Sequence, residues 1–443
     1  MTEQQSLLIK VLGKQLFGSR EEITGFDRID WDSFLTEARQ QAVLSLVYTY
    51  VEDKMPRDDV YRKFHKMSSA CSASGIRNLY YHHTLHKLLE GNNIPYVILK
   101  GQVSARYYPE PFLRDAGDVD FLVNREDVET VDMLLTKQGY IKSSKSNEHE
   151  FHWAYKKNKE ILELHWDIPG LPQDHIGPEN SETEQAENKT SVSFNVVSKK
   201  SILKNSKSRI TGNEAVFKIR EYVSDILIKR KLVVDPDGSY YIPSAFHHGI
   251  VLLLHTISHI PSAGIGLRHL CDWLVFENSF SEKDFLEMFC EPLKEMGIWT
   301  FAQVMTQIGL LYFGCEEREW CKDADSTLCL DFLEDILKGG NFGAKDMSRK
   351  SQVMLIQNKT TKNMSSGDVL LNMMTSINRR AMFDFPICKR IVVIRPFVWM
   401  VVMVQYVSRI RRGEKRSVIK KEVFADALRR KSIYAKLKLF KKQ

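Results

Sequence analysis

Three acidic residues stand in apolar surroundings that are typical of buried strands. Asp118 and Asp120 begin the run Asp-Val-Asp-Phe-Leu-Val, and Glu163 lies within Ile-Leu-Glu-Leu. Because residues two apart on a strand share a face, Asp118 and Asp120 would repel each other unless a cation lies between them. Mg²⁺ (or Mn²⁺) prefers such carboxylate oxygens. With Glu163 on a neighbouring strand, the set predicts a metal site for in-line phosphoryl or nucleotidyl transfer. A solvated strand end is the alternative interpretation of Asp-x-Asp.

The elements that would position these carboxylates follow from the hydrophobic pattern. Residues 1–90 carry apolar side chains at spacings of three and four, which indicates helices. Short apolar runs at 94–99 and 118–123 predict the first two strands. Two later apolar runs flank a polar turn and predict a hairpin that carries Glu163.

The order of these elements predicts an α+β fold. A small mixed sheet would lie between N-terminal helices and a C-terminal helical domain, because too few strands alternate with helices for a doubly wound sheet. We predict four segments: a helical arm (1–90), a core with a polar insert near 173–191 (91–243), a helical domain (244–385) and a basic apolar tail (386–443).

Several motifs occur in a consistent order along the chain. LKGQVSARYYPEPFLRDAGDVDFLV contains Leu-Lys-Gly, Tyr-Pro-x-Pro, Arg and Asp-x-Asp, and Glu-Leu-His-Trp follows downstream. These motifs, with the later segment LLLHTISHIPSAGIGLRHLCDWL, resemble the uncharacterised nucleotidyltransferase family of bacteria. The resemblance implies a DNA-polymerase-β-like nucleotidyltransferase fold. It also implies that Asp118 and Asp120 hold both magnesium ions, while Glu163 holds the ion nearer the acceptor hydroxyl and helps to deprotonate it.

The phosphate-binding loop departs from the pattern of many nucleotidyltransferases. Those enzymes have Gly-Ser after the first strand, whereas here Gly101 is followed by Gln102. Gly101 can still let the backbone approach a phosphate, and Lys100 and Arg114 can neutralise phosphate charge. We therefore expect Lys100, Gly101 and Arg114 to bind the NTP.

Histidines form a second group of candidate residues. His165 shares the strand face of Glu163, so it either lines the site or bonds a neighbouring carbonyl. His255 and His259 have helical spacing, and their apolar setting favours core or substrate-pocket histidines over zinc ligands. Three more histidines are expected on a polar helix face: His82, His83 and His86.

Positive charge is concentrated in the last part of the chain. Residues 389–443 hold 17 Lys and Arg against 3 Asp and Glu, a net charge of +14, whereas the rest of the chain carries −7. The apolar run after Pro396 is short for a bilayer span, and Arg395 interrupts a longer one. Several interpretations of this tail remain open. They are a helix packed in the protein or against a partner subunit, an interfacial helix on anionic lipid, a solvated helix face and an RNA-binding segment.

Seven scattered cysteines without a C-x-x-C pair indicate reduced thiols, and the N-terminus lacks the pattern of a secretory leader. We therefore expect a cytoplasmic protein whose tail is a candidate contact with the inner face of the membrane.

The favoured function is transfer of a nucleoside monophosphate from an NTP to an acceptor hydroxyl, with release of pyrophosphate. The acceptor could be a sugar, a protein, RNA or a small molecule. Two alternatives are an Asp-x-Asp glycosyltransferase and a catalytically inactive module that binds nucleotide or membrane for assembly.

Overall fold

The computed structural model describes residues 1–143, 152–171, 212–349, 387–411 and 421–441, with single residues between 352 and 385. The predicted polar insert at 173–191 lies outside these residues. The N-terminal part is helical, as the sequence predicted: α1 (Glu3–Phe17), α2 (Trp31–Gln40), α3 (Leu44–Val51) and α4 (Asp59–Glu90). A capping box between Thr2 and Gln5 starts α1, and Gly18 ends it in the left-handed conformation, with φ 64°.

A five-stranded mixed sheet follows the helical arm and confirms the predicted α+β class. Its strands are β1 (Tyr96–Ile98), β2 (Val119–Val123), β3 (Ile141–Lys142), β4 (His152–Lys157) and β5 (Glu160–His165), in the order β1-β2-β5-β4-β3. The helices α5 (Gln102–Ala105) and α6 (Val128–Lys137) follow β1 and β2. Strands β2 and β5 pair in parallel, and the other neighbours are antiparallel.

The two faces of the sheet bury different sets of residues. Val119 and Phe121 of β2 join a small core with residues of α4 and α6. Leu122 points the opposite way and joins the larger core of the helical domain. Because side chains alternate along a strand, Asp120 lies on the face of Leu122. The acidic residue is thus directed towards the helical domain.

A second, two-stranded sheet was not predicted. After α7 (Gly212–Val223), β6 (Lys231–Asp235) and β7 (Gly238–Ile242) form a hairpin, and Asp-Pro-Asp-Gly at the turn was the available sequence signal. Tyr240 of this hairpin packs against the rings of His82 and His83. The expected polar helix face is therefore wrong for His82 and His83, which are only 1% and 4% exposed.

The helical domain contains α8 (Ala245–His259), α9 (Leu267–Glu277), α10 (Glu282–Glu295), α11 (Trp299–Ile308) and α12 (Ser326–Gly339). Helix α8 begins after Pro243 at Ser244, whose hydroxyl accepts a hydrogen bond from the His247 N–H. The large hydrophobic core of the helical domain also includes residues of α1, α2 and α3. Helix α1 packs against the π-helical turn Gly309–Phe313 that continues α11.

The C-terminal segment contains α13 (Ile387–Arg390), α14 (Arg395–Arg411) and α15 (Lys421–Lys436). Helix α15 packs against α12, and Ile433 and Leu437 are buried in the large core. Arg430 is fully buried and donates hydrogen bonds to Gln352 and to the Ile260 carbonyl. Part of the predicted basic tail is thus interior. Within the described ranges, no helix combines the length and apolarity that a bilayer span needs.

Candidate active site

Parallel pairing of β2 and β5 brings the central carboxylates together. Asp120 and Glu163 occupy partner positions in the register of the two strands. His165, two residues beyond Glu163, lies on the same face. One ligand atom from each of Asp120, Glu163 and His165 lies within 4.8 Å of the others. Asp120 is 1% exposed, so this carboxylate is far from bulk water.

Two basic side chains contact these carboxylates. Nε2 of His165 lies 3.1 Å from Oδ1 of Asp120 and 3.5 Å from Oε2 of Glu163. Burial alone would lower the pKa of His165, but the hydrogen bonds to Asp120 and Glu163 raise it above its usual value. Nζ of Lys100 lies 3.0 Å from Oδ1 of Asp120. Burial likewise opposes the charged form of Lys100, but the neighbouring carboxylates raise its pKa.

Glu163 is held in its ionised form. Burial alone would raise the pKa of this carboxyl, but the hydrogen bond from His165 lowers it below its usual value. Asp118 lies just before β2 and is partly buried. It stands near enough to influence the pKa of Lys100 and of Glu163. However, the convergent group of Asp120, Glu163 and His165 does not include it. The structure therefore brings Asp120 and Glu163 into direct proximity and places Asp118 at their edge.

The donor set fits a hard divalent cation. Oδ2 of Asp120 is buried and has no hydrogen-bond partner among the described residues. Such an oxygen is costly unless a ligand satisfies it. Carboxylate oxygens are the ligands that Mg²⁺ and Mn²⁺ prefer. Nε2 of His165 already bonds to the carboxylates, as expected of a histidine that orients the metal ligands without binding the metal itself.

Residues 27–195 match the family model described as uncharacterised nucleotidyltransferase, and the match includes α2 to α6 and the whole five-stranded sheet. This segment is a nucleotidyltransferase-family domain. Neither the curated proteins nor the solved structures gave a match to the chain. The carboxylates and His165 all lie in the nucleotidyltransferase domain, on the sheet face directed towards the helical domain.

The loop after β1 lies beside the acidic residues of the nucleotidyltransferase domain. Gly101 has φ +73°, a conformation that L side chains rarely adopt, and helix α5 begins at the next residue. A Cβ at this position would lie 3.7 Å from the Asp118 carbonyl oxygen, so the loop passes close to the acidic strand. Gln102 is buried and donates a hydrogen bond to the Gly75 carbonyl. That bond fixes the loop on α4.

Arg114 has a different partner from the one the sequence suggested. Its Nε and Nη2 donate to the two carboxylate oxygens of Asp272 at 2.6 and 2.7 Å. The Tyr108 hydroxyl donates to the same carboxylate at 2.7 Å. Burial alone would raise the pKa of Asp272, but Arg114 lowers it. Arg114 thus fastens the nucleotidyltransferase domain to α9, while its expected role in NTP binding remains a prediction.

The predicted histidine pair on α8 extends the site into the helical domain. Nε2 of His255 lies 3.4 Å from Nζ of Lys100, which also contacts Asp120. His259 lies one turn further along α8, and His269 of α9 joins the pair. Sequence reasoning did not single out His269. Its place in the segment LLLHTISHIPSAGIGLRHLCDWL, which also holds His255 and His259, was the available signal. No local pattern, however, shows that α9 packs beside α8.

Proposed function

We propose that this protein transfers a nucleoside monophosphate from an NTP to an acceptor hydroxyl. The observation that carries the proposal is the parallel pairing of β2 and β5, which sets the carboxylate of Asp120 beside that of Glu163. The nucleotidyltransferase-family match over the same strands supports this reaction class. Asp118, Asp120 and Glu163 would hold Mg²⁺ or Mn²⁺. The bound ion would neutralise phosphate charge and lower the pKa of the acceptor hydroxyl.

The chain's own residues would carry the remaining steps. Glu163 is ionised and accepts the proton of the acceptor hydroxyl. The hydroxyl oxygen forms a bond to the α-phosphorus, the bond from that phosphorus to the β-phosphate oxygen breaks, and pyrophosphate leaves. The Lys100 ammonium group leaves Asp120 and binds a phosphate oxygen of the NTP. Asp120 and the phosphate are both anionic, and the flexible lysine side chain can reach either of them. His165 keeps Asp120 and Glu163 in position through its hydrogen bonds.

The test is transfer of label from each of the four α-labelled NTPs, with magnesium and a cell extract as the source of acceptors. We expect a labelled product with the wild-type chain. Asp120→Asn and Glu163→Gln should lower its yield by more than about 100-fold, beyond the effect typical of residues outside the ligand shell. Glu126→Gln is the matched control, since Glu126 is exposed in the same domain. Full activity of Asp120→Asn would contradict the metal assignment.

The alternative functions give different results in the same assay. An inactive binding module would show neither transfer nor magnesium-dependent NTP binding by calorimetry. A glycosyltransferase would transfer label from a nucleotide sugar and not from an NTP. The architecture favours the first proposal over that enzyme, because the chain before β1 is helical and supplies no nucleotide-binding α/β region.

A second surface supports association with anionic lipid. Helices α13 and α14 span residues 387–411, which include five Lys and Arg and no Asp or Glu. Apolar side chains along this segment are exposed: Val393 80%, Phe397 67%, Met400 61% and Val404 64%. A helix of this kind lies in the headgroup region with its apolar face inserted and its cations on the lipid phosphates.

This surface can be tested by co-sedimentation with vesicles. We expect the full chain to sediment with phosphatidylserine-containing vesicles and much less with neutral phosphatidylcholine vesicles. The triple change Phe397→Ser, Met400→Ser and Val404→Ser should abolish sedimentation. Phe217→Ser is the control, because Phe217 is 62% exposed on α7. Equal sedimentation of the triple variant and the wild type would overturn the proposal.

A further inference from the structure

A cluster of three histidines lies next to the carboxylates but takes no part in the steps above. The rings of His255 and His259 have centroids 4.5 Å apart, and the ring of His269 is 5.8 and 5.9 Å from them. Phe342 covers the cluster, with its ring 4.7 Å from His259 and 5.3 Å from His269. We call these three histidines with Lys100 and Arg268 the histidine pocket.

Polar atoms of this pocket lack partners. His269 is 4% exposed, and neither of its ring nitrogens has a hydrogen-bond partner within the part of the chain that is described. The same holds for the buried Nε of Arg268. A buried polar group without a partner destabilises the fold, so a set of them at one place indicates a ligand.

The backbone over the pocket is strained. Phe342 has φ 52° and ψ 35°, in the left-handed region that bulky residues rarely adopt. Such a conformation is unfavourable for a bulky side chain, and residues of this kind concentrate at ligand sites. Phe342 is 38% exposed, so its ring separates the pocket from solvent.

Two cations line the pocket. Lys100 and Arg268 supply them, and the cluster itself contains only imidazoles. Lys100 also contacts Asp120, and Arg268 lies close enough to Asp115 and Asp272 to influence the pKa of both, so an anionic ligand would compete with these carboxylates for the two cations. Burial, followed by the nearby Lys100 and Arg268, lowers the pKa of His259 to about 3. Burial also holds the pKa of His269 well below its usual value. These rings are therefore neutral beside two cations, and an anionic ligand would receive hydrogen bonds from all of them.

We propose that the histidine pocket binds the β- and γ-phosphates of the NTP, in place of the Gly-Ser loop that the sequence lacks. The inference rests on the proposed function, because Lys100 connects the pocket to the carboxylates. Its Nζ lies between Oδ1 of Asp120, at 3.0 Å, and Nε2 of His255, at 3.4 Å. An NTP whose α-phosphate lies at Asp120 would extend its terminal phosphates past Lys100 towards α8 and α9.

The experiment measures binding by calorimetry with magnesium present. The ligands are pyrophosphate, the α,β-methylene analogues of ATP, GTP, CTP and UTP, and the four nucleoside monophosphates. The variants are His259→Gln and the double variant His259→Gln/Arg268→Gln, and His65→Gln is the control because His65 is exposed on α4. Melting temperatures without ligand show whether each variant is folded.

We expect His259→Gln to weaken binding of pyrophosphate and of the preferred triphosphate analogue at least tenfold. The double variant should weaken it further, and affinity for the monophosphate should be unchanged. Equal losses for triphosphate and monophosphate, unchanged triphosphate binding, or Zn²⁺ bound by the cluster would each overturn the inference while the proposed function stands. A wild-type chain that binds no triphosphate analogue would overturn both.

Discussion

Asp120 is a buried carboxylate that contacts two basic side chains through one of its oxygens only. Lys100 and His165 contact the same Oδ1, while Oδ2 has no partner in the described part of the chain. A buried carboxylate beside Glu163 is tolerated only when positive charge compensates both groups. Lys100 and a bound divalent cation would therefore compete for one electrostatic role.

This competition gives a prediction for Lys100→Met. In buffer with EDTA, the variant should lose about 3–5 kcal/mol of unfolding free energy, because Asp120 loses a buried partner. Saturating magnesium should reduce that loss, since the ion restores the missing charge. Urea unfolding in both buffers measures the difference.

Lys63→Met is the matched control for that experiment. Lys63 pairs with Asp32 at the surface, where each side chain is 50% exposed. An exposed pair of this kind contributes about 0–1 kcal/mol, with no dependence on magnesium. If Lys100→Met lost the same free energy in both buffers, Lys100 and the ion would not share a role.

The central residues of the site could be predicted because their signal is local. Carboxylates inside apolar strand patterns identified Asp120 and Glu163, and strand periodicity placed His165 on the face of Glu163. The Arg114–Asp272 pair could not be predicted, because its members are 158 positions apart and pair only through the tertiary fold. The roles of Asp118, Asp120 and Glu163 as metal ligands stay predictions.

At the scale of elements, strands and helices with regular periodicity lie where the sequence predicted them. The register between β2 and β5 could not be read from the sequence, because the two strands are separated by a hairpin and a helix. The β6–β7 hairpin was missed, since its strands are half exposed and lack a run of buried apolar residues. Its presence explains why His82 and His83 are buried beneath Tyr240.

The contact of α1 with the helical domain gives a prediction for Gly13→Ala. A Cβ at Gly13 would lie 2.2 Å from the Phe313 carbonyl oxygen, so the backbone of one element must move. Alanine in a helix is otherwise favoured over glycine by about 1 kcal/mol. We expect the contact to outweigh that preference, giving a net loss of about 1–3 kcal/mol.

The urea midpoint measures this effect, with Lys14→Ala on the same helix as the control. A midpoint for Gly13→Ala at or above that of the wild type would show that α1 does not pack closely on the turn Gly309–Phe313.

For the whole molecule, neutral histidines should set the response to acid. Burial lowers the pKa of His82 and His259 to about 3 and that of His248 to about 4, and it also lowers the pKa of His255 and His269. The unfolded chain, with histidine near 6.5, binds more protons below that pH. Stability is therefore present above pH 6.5 and is lost as the pH falls towards 3, by up to about 1.4 kcal/mol per pH unit for each proton. His165 acts in the opposite direction, but it is one group against seven, since burial also lowers the pKa of His86 and His247.

The predicted measurement is a urea midpoint that changes little above about pH 7 and falls steeply between about pH 6 and pH 4. In His248→Phe the urea midpoint should fall less steeply, because one group fewer takes up a proton on unfolding. Phe keeps the ring contact with Tyr107 but does not titrate. An unchanged pH dependence in His248→Phe would contradict the assignment of this histidine.

The large core unites residues that are far apart in the order of synthesis. Helix α1 buries its apolar face against the turn Gly309–Phe313, about 300 residues later in the chain. A ribosome that adds roughly 5–20 residues per second needs about 15–60 s to cover that distance. During this time the first helices can pack on one another, but the part of α1 that contacts this turn has no partner. Nascent chains of this protein should therefore depend on chaperones at the ribosome, and incomplete chains should aggregate through their N-terminal helices.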